Sequence, residues 1–111
     1  MQARKGVKIE ELEQGTGPEA VKGKTVEIRC DGYLNHGDKF YDNVPSRFKI
    51  GGRDVIAGLE YGVEGMRVGG RRKIRISPHL AYGAHGVPGI IPANALLTFE
   101  VELLTVEDEA Q

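Results

Sequence analysis

A single cysteine, Cys30, in 111 residues leaves no partner for an intramolecular disulfide and no cysteine-rich metal site. Histidine is equally sparse. His36, His79 and His85 lie far apart in turn-like or loop-like segments, where a solvated surface position is the simplest reading. No H-x-x-x-H, C-x-x-C or H-E-x-x-H spacing occurs, so neither a bound metal nor metal-assisted catalysis is expected. An excess of one charge is also missing: 15 basic and 16 acidic residues leave a net charge of -1. Nucleic acid and anionic membranes both call for a basic excess, so neither is an expected partner. No apolar run approaches the roughly 20 residues of a membrane-spanning helix. The opening MQARKGVKIEELEQ is charged throughout and has no apolar signal-peptide core, so the cytoplasm is the expected location. Paired glycines occur at Gly51-Gly52 and Gly69-Gly70, but neither pair sits in a dinucleotide-binding or Walker pattern. No cofactor is expected.

Glycine is abundant, at 16 residues, and it punctuates short apolar segments rather than forming a linker. Gly15, Gly17, Gly23, Gly32 and Gly37 separate alternating stretches, the pattern of short strands joined by tight turns. Val7 and Ile9 alternate with charged residues and predict a strand at 7–13. In 24–34, KTVEIRCDGYL, Val26, Ile28 and Cys30 share one face and Thr25, Glu27 and Arg29 the other, which predicts a half-buried antiparallel strand. Asn35-His36-Gly37-Asp38 is a turn. The stretch from Phe40 to Pro45 is expected to be irregular, and Phe48 and Ile50 alternate again. Arg71 to Ile76 and Leu97 to Leu103 complete the strands. Ile74 and Ile76 are expected inward, and the basic run Arg71-Arg72-Lys73 with Arg75 is expected to be a solvated face. The acidic EDEAQ tail is expected to fray.

One segment has another period. In 54–66, DVIAGLEYGVEGM, Val55, Ile56, Leu59, Val63 and Met66 fall at helical spacing, with Asp54 placed to cap the N-terminus and Gly69-Gly70 to end the element. Gly58, Gly62 and Gly65 make this a poor helix by propensity, so tertiary packing must hold it. The chain therefore reads as one α+β domain over 1–111, with its core at about 7–106: a twisted antiparallel sheet folded over one short central helix.

Conventional acid, base or nucleophile arrangements are absent from this pattern. Cys30 is expected to be a buried strand thiol rather than a nucleophile. What remains is a set of apolar and aromatic residues: Phe40, Phe48, Val55, Ile56, Tyr82, Ile90, Ile91 and Phe99. Burial in the core accounts for any one of them. Tyr82, Ile90 and Ile91 differ because they lie in the long loop 77–94, SPHLAYGAHGVPGIIPAN, where apolar residues more often line a binding surface.

Several ordered motifs give this chain a closer reading. Ala81-Tyr82-Gly83 with Gly86-Val87-Pro88-Gly89-Ile90-Ile91-Pro92, then Val55-Ile56-Ala57-Gly58 with Gly62-Val63, then Ile74-Arg75-Ile76-Ser77-Pro78 and Leu97-Thr98-Phe99-Glu100-Val101-Glu102-Leu103 closely resemble the FKBP family of peptidyl-prolyl isomerases. The resemblance covers residues 7–106 and implies a half-barrel sheet wrapping one helix, with a proline pocket between them. By that resemblance Val55, Ile56 and Phe99 form the pocket wall, Phe40 faces them, and Leu59 lies on the floor. The Ile56 N–H and the Tyr82 hydroxyl are the hydrogen-bond donors, and Phe48, Ile90 and Ile91 border the site. The implied partners are proline-containing peptides and folding proteins, together with rapamycin-type macrolides; a monomer is expected.

The chain departs from the family at defined positions. Cys30 stands where a pocket tyrosine is usual, Tyr41 where an aspartate follows the phenylalanine, Leu59 for the floor tryptophan and Val87 for a loop histidine. The stretch from Phe40 to Phe48 is shorter than usual, which leaves the match of Ser46 to a pocket aromatic open. Asp42 replaces the missing aspartate only if a bulge shifts the alternation. These departures imply weaker macrolide binding than in fully matching members. They also leave a second reading: a binding module with little catalysis.

Overall fold

The computed structural model describes residues 5–107; most of the EDEAQ tail, residues 108–111, lies outside them. Five strands form one antiparallel sheet: β1 (Val7–Glu13), β2 (Thr25–Leu34), β3 (Lys39–Lys49), β4 (Arg71–Ile76) and β5 (Leu97–Glu107). Their order is β1-β4-β5-β2-β3, so the sheet is not closed, and β1 and β3 are its edges. Alternation works as the sequence reading requires. Val26, Ile28 and Cys30 of β2, Ile74 and Ile76 of β4, and Leu97, Phe99, Val101 and Leu103 of β5 are all buried on one face. Helix α1 (Ala57–Val63) lies across that face, over β1 and β4.

The glycines in α1 have a packing reason. A Cβ at Gly58 would run into Ile76, and one at Gly62 would run into Ile74. Only glycine lets the helix axis approach the sheet this closely, so the tertiary contact offsets the propensity cost of about 1 kcal/mol per glycine.

Five local expectations change. The helix is seven residues long, not the thirteen of 54–66. Its N-cap is Ile56, without a side-chain cap, rather than Asp54. Asp54 instead accepts the N–H of Lys49 at 3.4 Å, a contact across the turn that leads into the helix. The C-terminus comes before Gly69-Gly70, because Gly65 takes a positive φ of 92° and turns the chain back. Residues 40–45, expected to be irregular, belong to β3, with their irregularity confined to shifts in its register with β2. Arg72, expected on a solvated face, donates to the carbonyls of Gly62 (2.8 Å) and Glu64 (3.0 Å) and to Glu11 (2.7 Å). A guanidinium there satisfies carbonyls that the helix end leaves open and complements its negative pole.

Candidate active site

Strand β3 builds one wall through an interruption in its pairing with β2. Cys30 pairs with Val44 and Gly32 with Tyr41, so two steps on β2 are matched by three on β3. This is a β-bulge at Asp42-Asn43, with Asn43 in the left-handed region at φ 55°. Asp31 fixes it by accepting the Asn43 N–H at 2.7 Å. The extra residue reverses the parity of the strand. Val44, Ser46 and Phe48 face inward opposite Cys30, Ile28 and Val26. Beyond the bulge Tyr41 faces inward, and Asp42 is turned out to solvent.

Asp42 therefore does not replace the family aspartate. Its side chain is 81% exposed and pairs with Lys39 at 3.2 Å. A second register shift between Gly32 and Tyr33 turns Phe40 inward as well. Its ring lies over Gly32, where a Cβ would come within 2.7 Å of it. Phe40 also meets Phe99 edge-on, at 5.7 Å and 83°, and Tyr41 lies 6.3 Å from Phe99. Two consecutive aromatic residues thus back onto one β5 ring.

The opposite wall comes from the segment entering α1, which Glu60 secures. Glu60 is 7% exposed, yet its two oxygens accept the N–H groups of Gly51 (3.2 Å) and Arg53 (2.9 Å). A buried carboxylate is tolerated because backbone donors satisfy it. This holds residues 51–53 and, through them, places 54–56. Glu60 escaped the sequence reading, although its spacing from Ile56 and Val63 puts it on the buried face of the helix.

Between these walls lies a cavity of about 300 Å³. Cys30, Tyr41, Val44, Pro45 and Ser46 line it from β2 and β3, Asp54, Val55, Ile56 and Leu59 from the helix entry, and Tyr82 and Phe99 from the loop and β5. Seven residues expected at the site meet here: Cys30, Tyr41, Val55, Ile56, Leu59, Tyr82 and Phe99. Phe40 stands behind Phe99. Phe48 is 2% exposed in the core, off the cavity lining. Ile90 and Ile91 separate, because the Val87–Ile91 bridge buries Ile91 in the core while Ile90 stays 52% exposed; neither lines the cavity. Ser46, whose match was left open, lines the cavity, and Val44, Pro45 and Asp54 were not expected there. The Val44–Ser46–Phe48 alternation was the available signal for Val44 and Ser46. A larger cavity of about 540 Å³ lies on the far side of the 50–57 segment, but charged Lys22, Arg53, Glu60 and Glu64 line it.

Polar groups in the apolar cavity are few and placed. Ile56 sits at the helix start, where N–H groups have no intrahelical acceptor, and among the described residues nothing accepts its N–H. Burial, followed by the influence of Tyr41 and of Cys30, pushes the Tyr82 phenol above its ordinary range, so it is a neutral donor at physiological pH. Burial, followed by the charge of Asp31, pushes the Cys30 thiol up to about 11. His36, His79 and His85 are all exposed. Among the described residues, no helix is long and apolar enough to cross a membrane.

The raised Cys30 pKa has a stability consequence. The folded protein keeps its thiol proton where the unfolded chain, near its ordinary 9.0, has lost it. The contribution is therefore complete below pH 9 and is lost as pH rises through 11. Thermal unfolding of the wild type is expected to show falling stability across this window, with a shallower slope in Cys30→Ala. Equal slopes would show that the thiol is not the titrating group.

The arrangement is a partly apolar, aromatic-walled pocket that brings Ile56, with its unpartnered N–H, and the Tyr82 phenol to one cavity, without an acid–base pair. Residues 17–104 match the family described as FKBP-type peptidyl-prolyl cis-trans isomerase. The chain is 45% identical over 105 residues to an FK506-binding protein of Neisseria meningitidis, covering 91% of this chain and 96% of that protein. It is 44% identical over 106 residues to a 46 kDa FK506-binding nuclear protein of Spodoptera frugiperda, covering 92% of this chain but 26% of that one. The chain thus spans nearly the whole of the bacterial relative and about a quarter of the insect one. Among solved structures, a peptidyl-prolyl cis-trans isomerase from Pseudomonas syringae superposes with a TM-score of 0.80 at 32% identity, covering 96% of this chain and 84% of that one. FkpA from Escherichia coli gives 0.79 at 37%, covering 95% and 53%. The chain belongs to the FKBP-type peptidyl-prolyl cis-trans isomerase family, and its reaction class is cis-trans rotation about Xaa-Pro bonds.

Proposed function

We propose that this cavity binds proline-containing segments of peptides and folding proteins and lowers the barrier to rotation without bonding to them. The single observation that carries the proposal is the free Ile56 N–H at the wall of an apolar cavity, across from the Tyr82 hydroxyl. The barrier of roughly 18–20 kcal/mol is amide resonance. In the twisted transition state the C–N conjugation is lost and the amide is less polar than in its planar form. A dry wall made by Val55, Ile56 and Phe99 favours that state over the planar one, and two fixed donors hold the carbonyls flanking the bond. No proton is transferred, which suits a site whose phenol and thiol both keep their protons at neutral pH.

A cis-trans rate assay on a Xaa-Pro-Phe peptide series tests the proposal. Clear acceleration, strongest with a bulky apolar residue before the proline, is the expected result. That preference should be modest, since apolar side-chain differences are worth about 1–3 kcal/mol. Pocket binding with rates equal to buffer on every peptide would leave only a binding module. Macrolide binding weaker than in fully matching relatives, a monomeric state and a cytoplasmic location belong to the same proposal. Titration with the drug, gel filtration and fractionation test them.

A further inference from the structure

Asp54 is the one acidic or basic side chain in the cavity lining; the others are aromatic, aliphatic, thiol or hydroxyl groups. It is exposed at the rim, and one carboxylate oxygen accepts the Lys49 N–H at 3.4 Å, which fixes the side chain against the wall. Three of the charges near it in sequence or across the cavity are directed elsewhere. Arg53, in the left-handed region at φ 64°, lines the larger cavity on the far side of this segment. Asp42 and Asp31 both pair with Lys39 beyond the bulge.

Asp54 also stands two residues before Ile56, whose N–H is the donor proposed for substrate. Two residues of chain span at most about 7 Å, so a peptide held by Ile56 passes within reach of this carboxylate. From this placement we infer that Asp54 is a specificity-determining residue. It favours substrates that carry lysine or arginine within two residues of the proline, on the side that runs past Ile56. Such cations have flexible stems that suit a rim carboxylate, whereas an acidic residue there meets like charge. The inference rests on the proline-binding reading of the cavity and adds the chemistry of the flanking residue to it.

The test uses peptides with a constant Leu-Pro core and Lys, Gln or Glu placed in turn two before, one after and two after the proline. For wild type and Asp54→Asn, both kcat/KM for isomerisation and the dissociation constant are measured by the same titration series. Asparagine keeps an oxygen to accept the Lys49 N–H, so the wall is retained. At one side of the proline the wild type should prefer Lys over Glu by about two- to tenfold, carried by KM rather than kcat. The ratio should approach one in Asp54→Asn and in about 1 M salt, where charges are screened beyond about 3 Å. A Lys-to-Glu ratio that is the same in both proteins, or a preference that survives the salt, would overturn the inference. Absence of acceleration with every peptide would instead remove the isomerase reading, and the dissociation constants would still decide the role of Asp54.

Discussion

Phe99→Ala should lose about 3–5 kcal/mol of folding stability, the usual cost of emptying a buried aromatic site, together with most of the catalytic acceleration. Phe99 is 1% exposed and pairs through β5 with Gly32 on one side and Ile74 on the other. Both Phe40 and Tyr41 lean on its ring. Its removal opens the core and unseats the β3 aromatics together, and those contacts hold the cavity shape. Urea unfolding should show a lower midpoint with an unchanged slope, and kcat/KM should fall by about tenfold or more. Phe99→Leu, which keeps most of the volume, separates the two effects: it should recover much of the stability and less of the activity. A loss of activity without any loss of stability in Phe99→Ala would mean that the ring is not part of the core.

The residues that sequence reading located and those it missed differ in the range of the interactions that place them. Val26, Ile28 and Cys30 follow from a local period, as do Ile74, Ile76 and the alternating residues of β5. A strand with one buried face writes that face into its sequence. Ile56 and Tyr82 came from motif resemblance, and the cavity does bring them together. The β3 wall could not be read in the same way. Its bulge depends on Asp31 accepting from Asn43, twelve residues away, and that bond decides whether Tyr41 or Asp42 faces inward. Arg72 looked like part of a surface run because its acceptors, Gly62 and Glu64, belong to another element. Ile90 and Ile91 looked equivalent as neighbours in a loop. The Val87–Ile91 bridge then committed one to the core and left the other at the surface. In each case a specific hydrogen bond or bridge outside the local alternation settled what the pattern left open.

Macrolide affinity should be about ten- to a hundredfold weaker than in family members that carry both the aspartate and the tyrosine, while isomerisation changes by less. A charge-assisted hydrogen bond contributes roughly 1.5–3 kcal/mol, which accounts for that range. The inward residue after Phe40 is Tyr41, whose phenol cannot accept with a full charge. The nearest candidate to take its place, Asp42, points to solvent and pairs with Lys39. Asp54 is a carboxylate at the cavity, but it stands on the opposite wall, at the helix entry. Cys30 replaces a ring and a hydroxyl with a small buried thiol, and Leu59 shortens the floor, so an apolar ligand also loses contact area. Rotation of an Xaa-Pro bond depends on the Ile56 N–H, the Tyr82 hydroxyl and the dry wall, none of which these changes remove. Rapamycin-type affinity and kcat/KM should be measured in parallel for wild type, Tyr41→Asp, Cys30→Tyr and the double variant. Tyr41→Asp is expected to recover most of the affinity and Cys30→Tyr a smaller part, with a further gain in the double variant because both residues line one cavity. Catalytic rate should move by less than about tenfold in any of them, since the Ile56 N–H and the Tyr82 hydroxyl both stay in place, although Tyr41→Asp replaces the phenol that Tyr82 hydrogen-bonds. A tight wild-type complex would overturn this account, and so would a Tyr41→Asp variant that folds normally and gains nothing.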